Sequence, residues 1–336
     1  MRKKFKIVVL FISVFSIAFW SCDTNKTKES TEKNPEDVVV EKPNVAVPTF
    51  NQDSAFLYVE EQVAFGPRVP NTAKHDQCAA YLINKLKSFG LSVIVQEAKV
   101  KAFDNSTLNI KNIIAELNPE ATERILLTAH WDTRPWADQD IKEKNKPILG
   151  ANDGGSGVGV LLEVARIISQ NNPRVGVDIV LFDAEDYGQP DGTMIEQKSD
   201  TYCLGSQYWS KNLHKVNYRP IYGILLDMVG AKGATFTKEG NSVYYAPGIV
   251  SKVWAAANKI GYSNHFVNLN TGWITDDHLY INSLAGIPTI DILHHDLATQ
   301  SNFGSYWHTH NDNMEAVDRN TLKAVGQTLL EVIYNE

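Results

Sequence analysis

The chain has 336 residues, of which 43% are hydrophobic and 21% charged, and its formal net charge is −7. This length and apolar content fit one domain of roughly 290 residues preceded by a leader. The charge excludes a basic surface for nucleic acid, because the only dense basic cluster, residues 2–4, belongs to that leader.

The first 22 residues have the pattern of a secretory signal. A basic start precedes an apolar stretch, residues 7–20, that is shorter than the ~20 residues of a membrane-spanning helix. Ser21-Cys22 then resembles a bacterial lipoprotein cleavage site, which would make Cys22 the lipidated first residue. We therefore expect a lipid-anchored envelope protein, periplasmic or at the outer membrane. An ordinary signal peptide with an incidental cysteine is the alternative.

Residues 23–48 are rich in Lys, Glu, Thr, Asn and Pro and predict a disordered tether. One catalytic domain, residues 49–336, is expected to follow. It contains two further cysteines, Cys78 and Cys203, which could pair in an oxidising envelope or stay free and buried. We favour free cysteines, and neither is expected beside a catalytic partner.

Hydrophobic periodicity and turn residues predict alternating helices and strands along this domain. Helices are predicted at 53–64, 73–89, 156–169, 205–212, 250–259, 277–284 and 320–334. Strands are predicted at 91–100, 107–117, 124–130, 177–183, 222–228, 242–246 and 287–293. An insertion, 187–202, is expected to be a mobile loop near the site. This alternation predicts an α/β fold with a mostly parallel sheet covered on both faces.

The predicted strand 177–183 runs directly into three acidic residues, Asp183, Glu185 and Asp186. A parallel strand delivers its last side chains to the crevice at its carboxyl end, where ligand sites form in α/β proteins. Adjacent carboxylates cannot easily face the same way. One can therefore bind a metal while its neighbour faces a substrate as general base.

The same arrangement recurs at other predicted strand ends and turns. A lone Asp after a strand is more often a turn or helix-capping residue than a ligand. Several such positions in one α/β domain, however, rarely arise from capping alone, and together they predict a metal site. Besides the acidic pair, they are His130 with Asp132, Asp153 in a Gly-rich turn, Asp227, and His308 with His310.

Taken in order, these motifs resemble the zinc aminopeptidase (M28) superfamily and, within it, the glutaminyl cyclases. The resemblance covers residues 50–336 and implies a three-layer α/β/α sandwich with a central mixed, mostly parallel sheet. The motifs that carry it are His130-x-Asp132, Asp153, Glu185-Asp186, Asp227, Asp276-Asp277-His278 and Trp307-His308.

The resemblance implies a zinc site of one of two kinds. In the aminopeptidase branch, His130 and Asp227 would hold one zinc, Asp186 and His308 a second, and Asp153 would bridge them. In the cyclase branch, Asp153, Asp186 and His308 would hold a single zinc, and three protein ligands with an open position are the composition of a catalytic site. The remaining candidates to orient the site or hold a second metal are His130, Asp132 and Asp291.

Tryptophans near these motifs resemble the cyclase branch and are expected to line the substrate pocket: Trp131, Trp136 and Trp307. Animal cyclases carry Glu at the position of Asp186 and His at the position of Asp291, which indicates a bacterial subtype. The reaction so implied converts an N-terminal glutamine to pyroglutamate with release of ammonia. Glu185 would move the proton, Asp276 would hold the reacting nitrogen, and Asp227 would steady Glu185.

Two other functions remain open. A di-zinc aminopeptidase is favoured by the crowding of carboxylates, because two cations would neutralise more of them. A non-catalytic envelope lipoprotein would be expected to lose ligands, and this chain retains them. The expected partners are peptide or protein N-termini that carry glutamine, with the membrane reached through the lipid anchor. A monomer is expected.

Overall fold

The computed structural model describes residues 46–190 and 196–336. The predicted signal peptide, Cys22 and tether residues 23–45 lie outside the described residues, as does the middle of the insertion 187–202. These described residues form one compact unit. In the described ranges no helix combines the length and the apolar character that crossing a bilayer requires.

Helices and strands alternate along this unit. The helices are α1 Gln52–Val63, α2 Ala73–Ser88, α3 Gly155–Gln170, α4 Leu204–Lys211, α5 Gly240–Tyr245, α6 Pro247–Lys259, α7 Asp277–Tyr280 and α8 Arg319–Tyr334. The strands are β1 Ser92–Lys101, β2 Thr107–Leu117, β3 Arg124–His130, β4 Gly176–Phe182, β5 Tyr222–Asp227, β6 Phe236–Lys238, β7 Phe266–Asn270 and β8 Thr289–Leu293. A π-helical turn follows α7 at Ile281–Ala285.

The main sheet has the strand order β1-β2-β4-β3-β5-β8. The pairs β1–β2 and β2–β4 are antiparallel. The pairs β4–β3, β3–β5 and β5–β8 are parallel, so these four strands end at one edge of the sheet. The predicted mixed, mostly parallel sheet is confirmed, and its parallel half carries the candidate site.

The core lies on both faces of this sheet. Successive residues of β4 illustrate it: Ile179 packs in the large cluster with α1, α3 and α8, whereas Val180 packs in a second cluster with Trp209 of α4. Side chains of a strand point alternately to its two faces. Every residue of β3, β4 and β5 is buried, because helices cover both sides. This confirms the three-layer sandwich.

The predicted strand 242–246 is wrong, because the segment forms the short helix α5. The Glu239 carboxylate caps this helix by accepting the backbone N–H groups of Asn241 and Ser242 at 2.6 and 2.8 Å. A side-chain cap of this kind satisfies donors that a helix start leaves free. It overrides the strand preference of the Val-Tyr-Tyr run, since intrinsic preferences are weak. The strands β6 and β7, which flank this region, were not predicted.

Candidate metal centre

The predicted site residues meet at the carboxyl edge of the parallel strands. His130 ends β3 and Asp227 ends β5. Asp153 lies just before α3, in the Gly-rich turn that enters the helix. Glu185 and Asp186 follow β4, and His308 comes from the segment between β8 and α8. The sheet thus brings together residues that are far apart in the chain.

The first group is formed by Asp153, Asp186 and His308, whose ligand atoms all lie within 4.8 Å of one another. The Nε2 atom of His308 is 3.3 Å from Oδ1 of Asp186 and 3.9 Å from Oδ2 of Asp153. Oδ2 of Asp186 is buried and has no hydrogen-bond partner among the described residues. Two carboxylates and one imidazole, with one carboxylate oxygen buried and unsatisfied, fit a three-ligand zinc site.

A second group shares Asp153 with the first. The Nε2 atom of His130 is 3.1 Å from Oδ1 of Asp153 and 3.2 Å from Oδ1 of Asp227. Burial opposes protonation of His130, but hydrogen bonds to neighbouring carboxylates outweigh it and raise its pKa well above the ordinary value. The imidazole thus lies between the carboxylates of Asp153 and Asp227 and contacts both.

Asp132 positions the acidic pair through the backbone. Its carboxylate accepts the N–H of Glu185 at 3.0 Å and the N–H of Asp186 at 3.2 Å. Its Oδ1 also lies 3.4 Å from Nδ1 of His130. Groups that hold the ligands in this way orient them for the metal, and the structure thus gives Asp132 the contacts expected of an orienting acid.

Sequence reasoning missed an ion-pair chain that holds two of the candidate ligands. The Arg134 guanidinium lies 3.3 Å from Oδ1 of Asp186 and donates through Nε to Asp138 at 2.6 Å. Asp138 in turn lies 3.3 Å from Nδ1 of His308. These partners lower the pKa of Asp138 against the opposing effect of its burial. The available signal was the Arg-x-x-x-Asp spacing directly after the His-x-Asp motif.

Asp312 was also missed. Its carboxylate accepts the N–H groups of Asn152 at 2.7 Å and Asp153 at 3.1 Å, and so fixes the Gly-rich turn. Burial, followed by the charge of Asp153, raises the pKa of Asp312 to about 8. Its position four residues after His308 was the only hint in the sequence.

Glu185 faces a small cavity of about 230 Å³. Burial raises the pKa of Glu185 well above its ordinary value. The neighbouring His130 opposes this rise, whereas the charges of Asp186 and Asp276 add to it. Its carboxylate contacts the Cys203 thiol at 3.2 Å. The cavity is lined by Asp153, Glu185, Asp186, Tyr202, Asp227, Met228, Ile274, Thr275, Asp276, Leu293, Phe303, Trp307 and His308.

Two expectations about Glu185 need correction. Asp227 was expected to steady it, but the structure places the Asp227 carboxylate against His130 instead. Cys203 was expected to lie away from any catalytic partner, yet its thiol lies against Glu185. The cysteines Cys78 and Cys203 are both free and buried, as favoured from the sequence.

The three predicted pocket tryptophans occupy different environments. Trp307 lines the cavity, and its ring stacks on His308 with a centroid distance of 3.7 Å. Trp131 is fully buried in the core and stacks on His75, so it does not form a pocket wall. Trp136 packs against Phe103 and Tyr187 outside the cavity lining. The apolar wall comes instead from Ile274, Leu293, Phe303 and Trp307.

Behind the cavity lies a buried network of acids. Asp291 is fully buried, with Oδ2 3.7 Å from Nδ1 of His278, whose Nε2 is 2.9 Å from Glu239. Burial raises the pKa of Asp276. Burial and the charge of Asp276 together raise the pKa of Asp291 well above its ordinary value. Burial also raises the pKa of Asp227 to about 7. Burial thus disfavours the charged form of each of these three acids.

Strained backbone surrounds the site. Ala184, Cys203, Met228 and His308 are non-glycine residues with φ between 50° and 59°, in the left-handed region. Such conformations are costly and persist where the surrounding structure requires them, often at active sites. Here they lie beside Glu185, beside Asp227 and at a candidate ligand.

Comparison with known proteins places this chain in a family. Residues 112–333 match peptidase family M28. The solved structure of Bacteroides thetaiotaomicron glutaminyl cyclase bound to N-acetylhistamine is similar, with a TM-score of 0.85 and 55% identity. That match covers 87% of this chain and 100% of the solved chain.

Two curated relatives are more distant. The aminopeptidase YwaD of Bacillus subtilis is 28% identical, and the match covers 70% of this chain but 46% of that protein. The glutaminyl-peptide cyclotransferase of Bos taurus is 24% identical, over 66% of this chain and 64% of its own length. The matched region thus spans about half to two thirds of these relatives. The family match covers more than half of the residues of this chain, so the chain belongs to peptidase family M28.

Proposed function

We infer that this chain is a zinc-dependent glutaminyl cyclase, which converts the N-terminal glutamine of peptides or proteins to pyroglutamate with release of ammonia. The main support is the group of three possible zinc ligands, Asp153, Asp186 and His308. These residues line the same small cavity as Glu185 and Trp307. The similarity to a solved glutaminyl cyclase, at 55% identity over the whole solved chain, supports this reaction over peptide hydrolysis.

One zinc ion is proposed, held by Asp153, Asp186 and His308. A zinc ion in this position supplies Lewis-acid polarisation of the glutamine side-chain carbonyl. Arg134 and Asp138 hold the ligands Asp186 and His308 in place through their ion pairs. His130 takes the position between Asp153 and Asp227, and its Nε2 atom contacts both carboxylates there.

Glu185 is the proposed general base and acid. It accepts a proton from the substrate α-amine as the amine nitrogen bonds to the side-chain amide carbon. It then returns that proton to the departing amide nitrogen, so that ammonia leaves as the carbon–nitrogen bond breaks. Burial raises the pKa of Glu185 above its ordinary value, which makes the carboxylate a stronger base for the first step.

Two further groups bind the reacting atoms. Asp276 lies in the same cavity as Glu185 and is proposed to accept a hydrogen bond from the substrate nitrogen during the reaction. The Trp307 ring, stacked on His308, and Phe303 line the cavity with apolar surface. This wall excludes water, which would otherwise compete with the α-amine.

The residues that follow the glutamine are proposed to lie in a second cavity, of about 640 Å³, which shares Phe303 and Trp307 with the first. Apart from these two rings its lining is glycine and uncharged polar residues: Gln139, Gln300, Ser301, Gly304, Ser305 and Thr309. Such groups can contact peptide backbone without selecting for charge. The physiological setting is proposed to be the cell envelope, with Cys22 lipidated, where exported N-termini are encountered.

A di-zinc aminopeptidase is the second candidate, and a specific observation favours it. The ligand atoms of His130, Asp153 and Asp227 also lie within 4.8 Å of one another, so the arrangement has room for a second cation. In that case Glu185 would activate water instead of the substrate amine.

The deciding experiment compares ammonia release from a glutaminyl dipeptide with hydrolysis of an aminoacyl anilide, together with zinc analysis of the same preparation. The proposal expects ammonia release, negligible anilide hydrolysis and one zinc per chain. Anilide hydrolysis without ammonia release, with two zinc ions per chain, would establish the aminopeptidase instead.

A further inference from the structure

The Cys203 side chain lies against the proposed base. Its Sγ atom is 3.2 Å from Oε1 of Glu185 and donates to it. Among the described residues, this thiol is the hydrogen-bond donor that reaches the Glu185 carboxylate. Cys203 itself is fully buried and lies directly before α4.

The backbone holds the two residues together from both sides. The N–H of Cys203 donates to the Glu185 carbonyl at 2.8 Å, and the N–H of Leu204 donates to the Ala184 carbonyl at 3.0 Å. Cys203 has a φ of 59° and Ala184 a φ of 53°, both left-handed. Each of the two hydrogen bonds thus involves one strained residue, and such conformations are costly and persist where the surrounding structure requires them. The turn that presents Glu185 therefore also aims the thiol at it.

The thiol is in its protonated form. Burial, followed by the nearby Glu185 charge, raises the pKa of Cys203 well above its ordinary value. A buried cysteine of this kind is a poor nucleophile and a poor metal ligand, because both roles need the thiolate. It can, however, act as a neutral donor, since S–H donates a weak hydrogen bond.

We propose that Cys203 is a positioning residue for Glu185, which holds Oε1 and leaves Oε2 free to exchange the proton with the substrate nitrogen. This inference rests on the proposed cyclase function. A general base acts only when it is within hydrogen-bond reach of the proton that it takes. A glutamate has three rotatable side-chain bonds, so a partner that fixes one oxygen keeps the other in the reactive position.

The first test is the pair Cys203→Ala and Cys203→Ser, assayed by ammonia release. The two share the backbone strain at this position, but only serine keeps a donor. Cys203→Ala should lower kcat about ten-fold, with KM and zinc content unchanged, since losing a hydrogen bond to a carboxylate has about this effect. The kcat of Cys203→Ser should be at least about three-fold higher than that of Cys203→Ala. Rescue is partial because the shorter C–O bond of serine weakens the contact with Glu185.

Cys78→Ala is the matched control. Cys78 is also free and fully buried, but it packs in the hydrophobic core of the α2 face. This variant should lower stability and leave kcat unchanged. Equal kcat in Cys203→Ala and the unmodified protein, or an equal loss in the serine and alanine variants, would overturn the positioning role.

A second measurement does not depend on turnover. The S–H stretching band of Cys203, assigned in the infrared spectrum by its loss in Cys203→Ala, should lie at lower wavenumber than that of Cys78. It should shift upward in Glu185→Ala, which removes the acceptor. A band that does not move would contradict the contact even if cyclase activity is present. A band that moves in a protein without ammonia release would leave the contact intact and reject the proposed reaction instead.

Discussion

Glu185 and Asp186 are neighbours in the chain, but their side chains have different partners. The Asp186 carboxylate lies beside His308 and Arg134, whereas the Glu185 carboxylate lies in the cavity beside Cys203. Asp132 fixes the backbone from which both side chains extend by accepting the N–H groups of the two residues. One residue can therefore serve the metal while the next serves the substrate.

Glu185→Gln tests this division directly. The amide cannot take a proton, so we expect kcat for ammonia release to fall by about 10²–10⁴-fold, the usual contribution of proton transfer by a side chain. Zinc content should stay the same, because the substitution leaves Asp153, Asp186 and His308 in place. Steady-state assays with metal analysis check both points.

The control for this variant is Glu97→Gln, an exposed glutamate on β1, which should keep full activity. Unchanged turnover in Glu185→Gln would remove Glu185 from the proton transfer. Loss of zinc would mean that Glu185 is a ligand rather than a base.

We expect His294 to contribute stability that depends on pH. It is buried, its Nδ1 atom is 2.7 Å from the Tyr306 hydroxyl, and burial lowers its pKa from 6.5 to about 4. The folded state therefore favours neutral imidazole. Its contribution is complete above pH 6.5 and is lost as the pH falls from 6.5 towards 4.

Because glutamine cannot titrate, we expect His294→Gln to lose less unfolding free energy than the unmodified protein as the pH falls through this window. The difference in unfolding free energy between the two proteins should change by at most about 3 kcal/mol between pH 7 and pH 4, the value of the pKa difference. Urea unfolding at a series of pH values measures it. Parallel pH profiles for the two proteins would show that His294 does not carry this dependence.

At the scale of elements, α3 is the part of the fold that places Asp153 over the sheet. Its first turns contain two glycines, Gly157 and Gly159, at points where α3 packs closely on its neighbours. A Cβ atom on Gly157 would lie 2.5 Å from the Leu226 carbonyl oxygen and 3.0 Å from Ala129. A Cβ atom on Gly159 would instead meet Val59 and Ala55 of α1, at 2.5 and 2.9 Å. The two glycines therefore permit close approach to different neighbours.

Gly157→Ala and Gly159→Ala form a matched pair. Both should lower stability by about 1–3 kcal/mol through overpacking. Only Gly157→Ala should also weaken zinc binding and lower kcat, because it displaces α3 from the strand that carries Asp227 and moves Asp153 with it. Urea unfolding and zinc titration against a competing chelator separate the two effects. Equal zinc affinity in both variants would contradict this account.

At the scale of the whole molecule, the site is a concentration of negative charge at one edge of the sheet. Five carboxylates line the cavity: Asp153, Glu185, Asp186, Asp227 and Asp276. Burying unpaired charges is costly, and the raised pKa values of several of these acids show how that cost is reduced. A bound cation reduces it further, so zinc should stabilise the folded protein.

Removal of zinc with a chelator should therefore lower Tm, and one equivalent of zinc per chain should restore it. A ligand present at about 1,000 times its Kd adds about 4 kcal/mol, which corresponds to a change in Tm of about 10 °C for a domain of this size. Asp186→Asn should reduce this response. Thermal unfolding of apo and reconstituted protein is the measurement, and an unchanged Tm would argue against a cation in the described site.

The sequence alone determined the elements that depend on local pattern. Buried strands such as β3 and β4 were predicted from uninterrupted apolar runs, and the residues after them from the rule that parallel strands deliver their last side chains to one edge. The ligand set Asp153, Asp186 and His308 came from the family resemblance, and the structure brings these three residues together. Where a local side-chain contact competed with strand preference, as Glu239 does at the start of α5, the prediction failed.

Only the tertiary structure decided which side chains touch. Cys203 reaches Glu185, Asp138 reaches His308, and Trp307 rather than Trp131 forms the cavity wall. Each of these outcomes joins or separates segments that have no regular spacing in the chain. Their contacts depend on how helices and loops pack on the sheet, and no local periodicity encodes that packing.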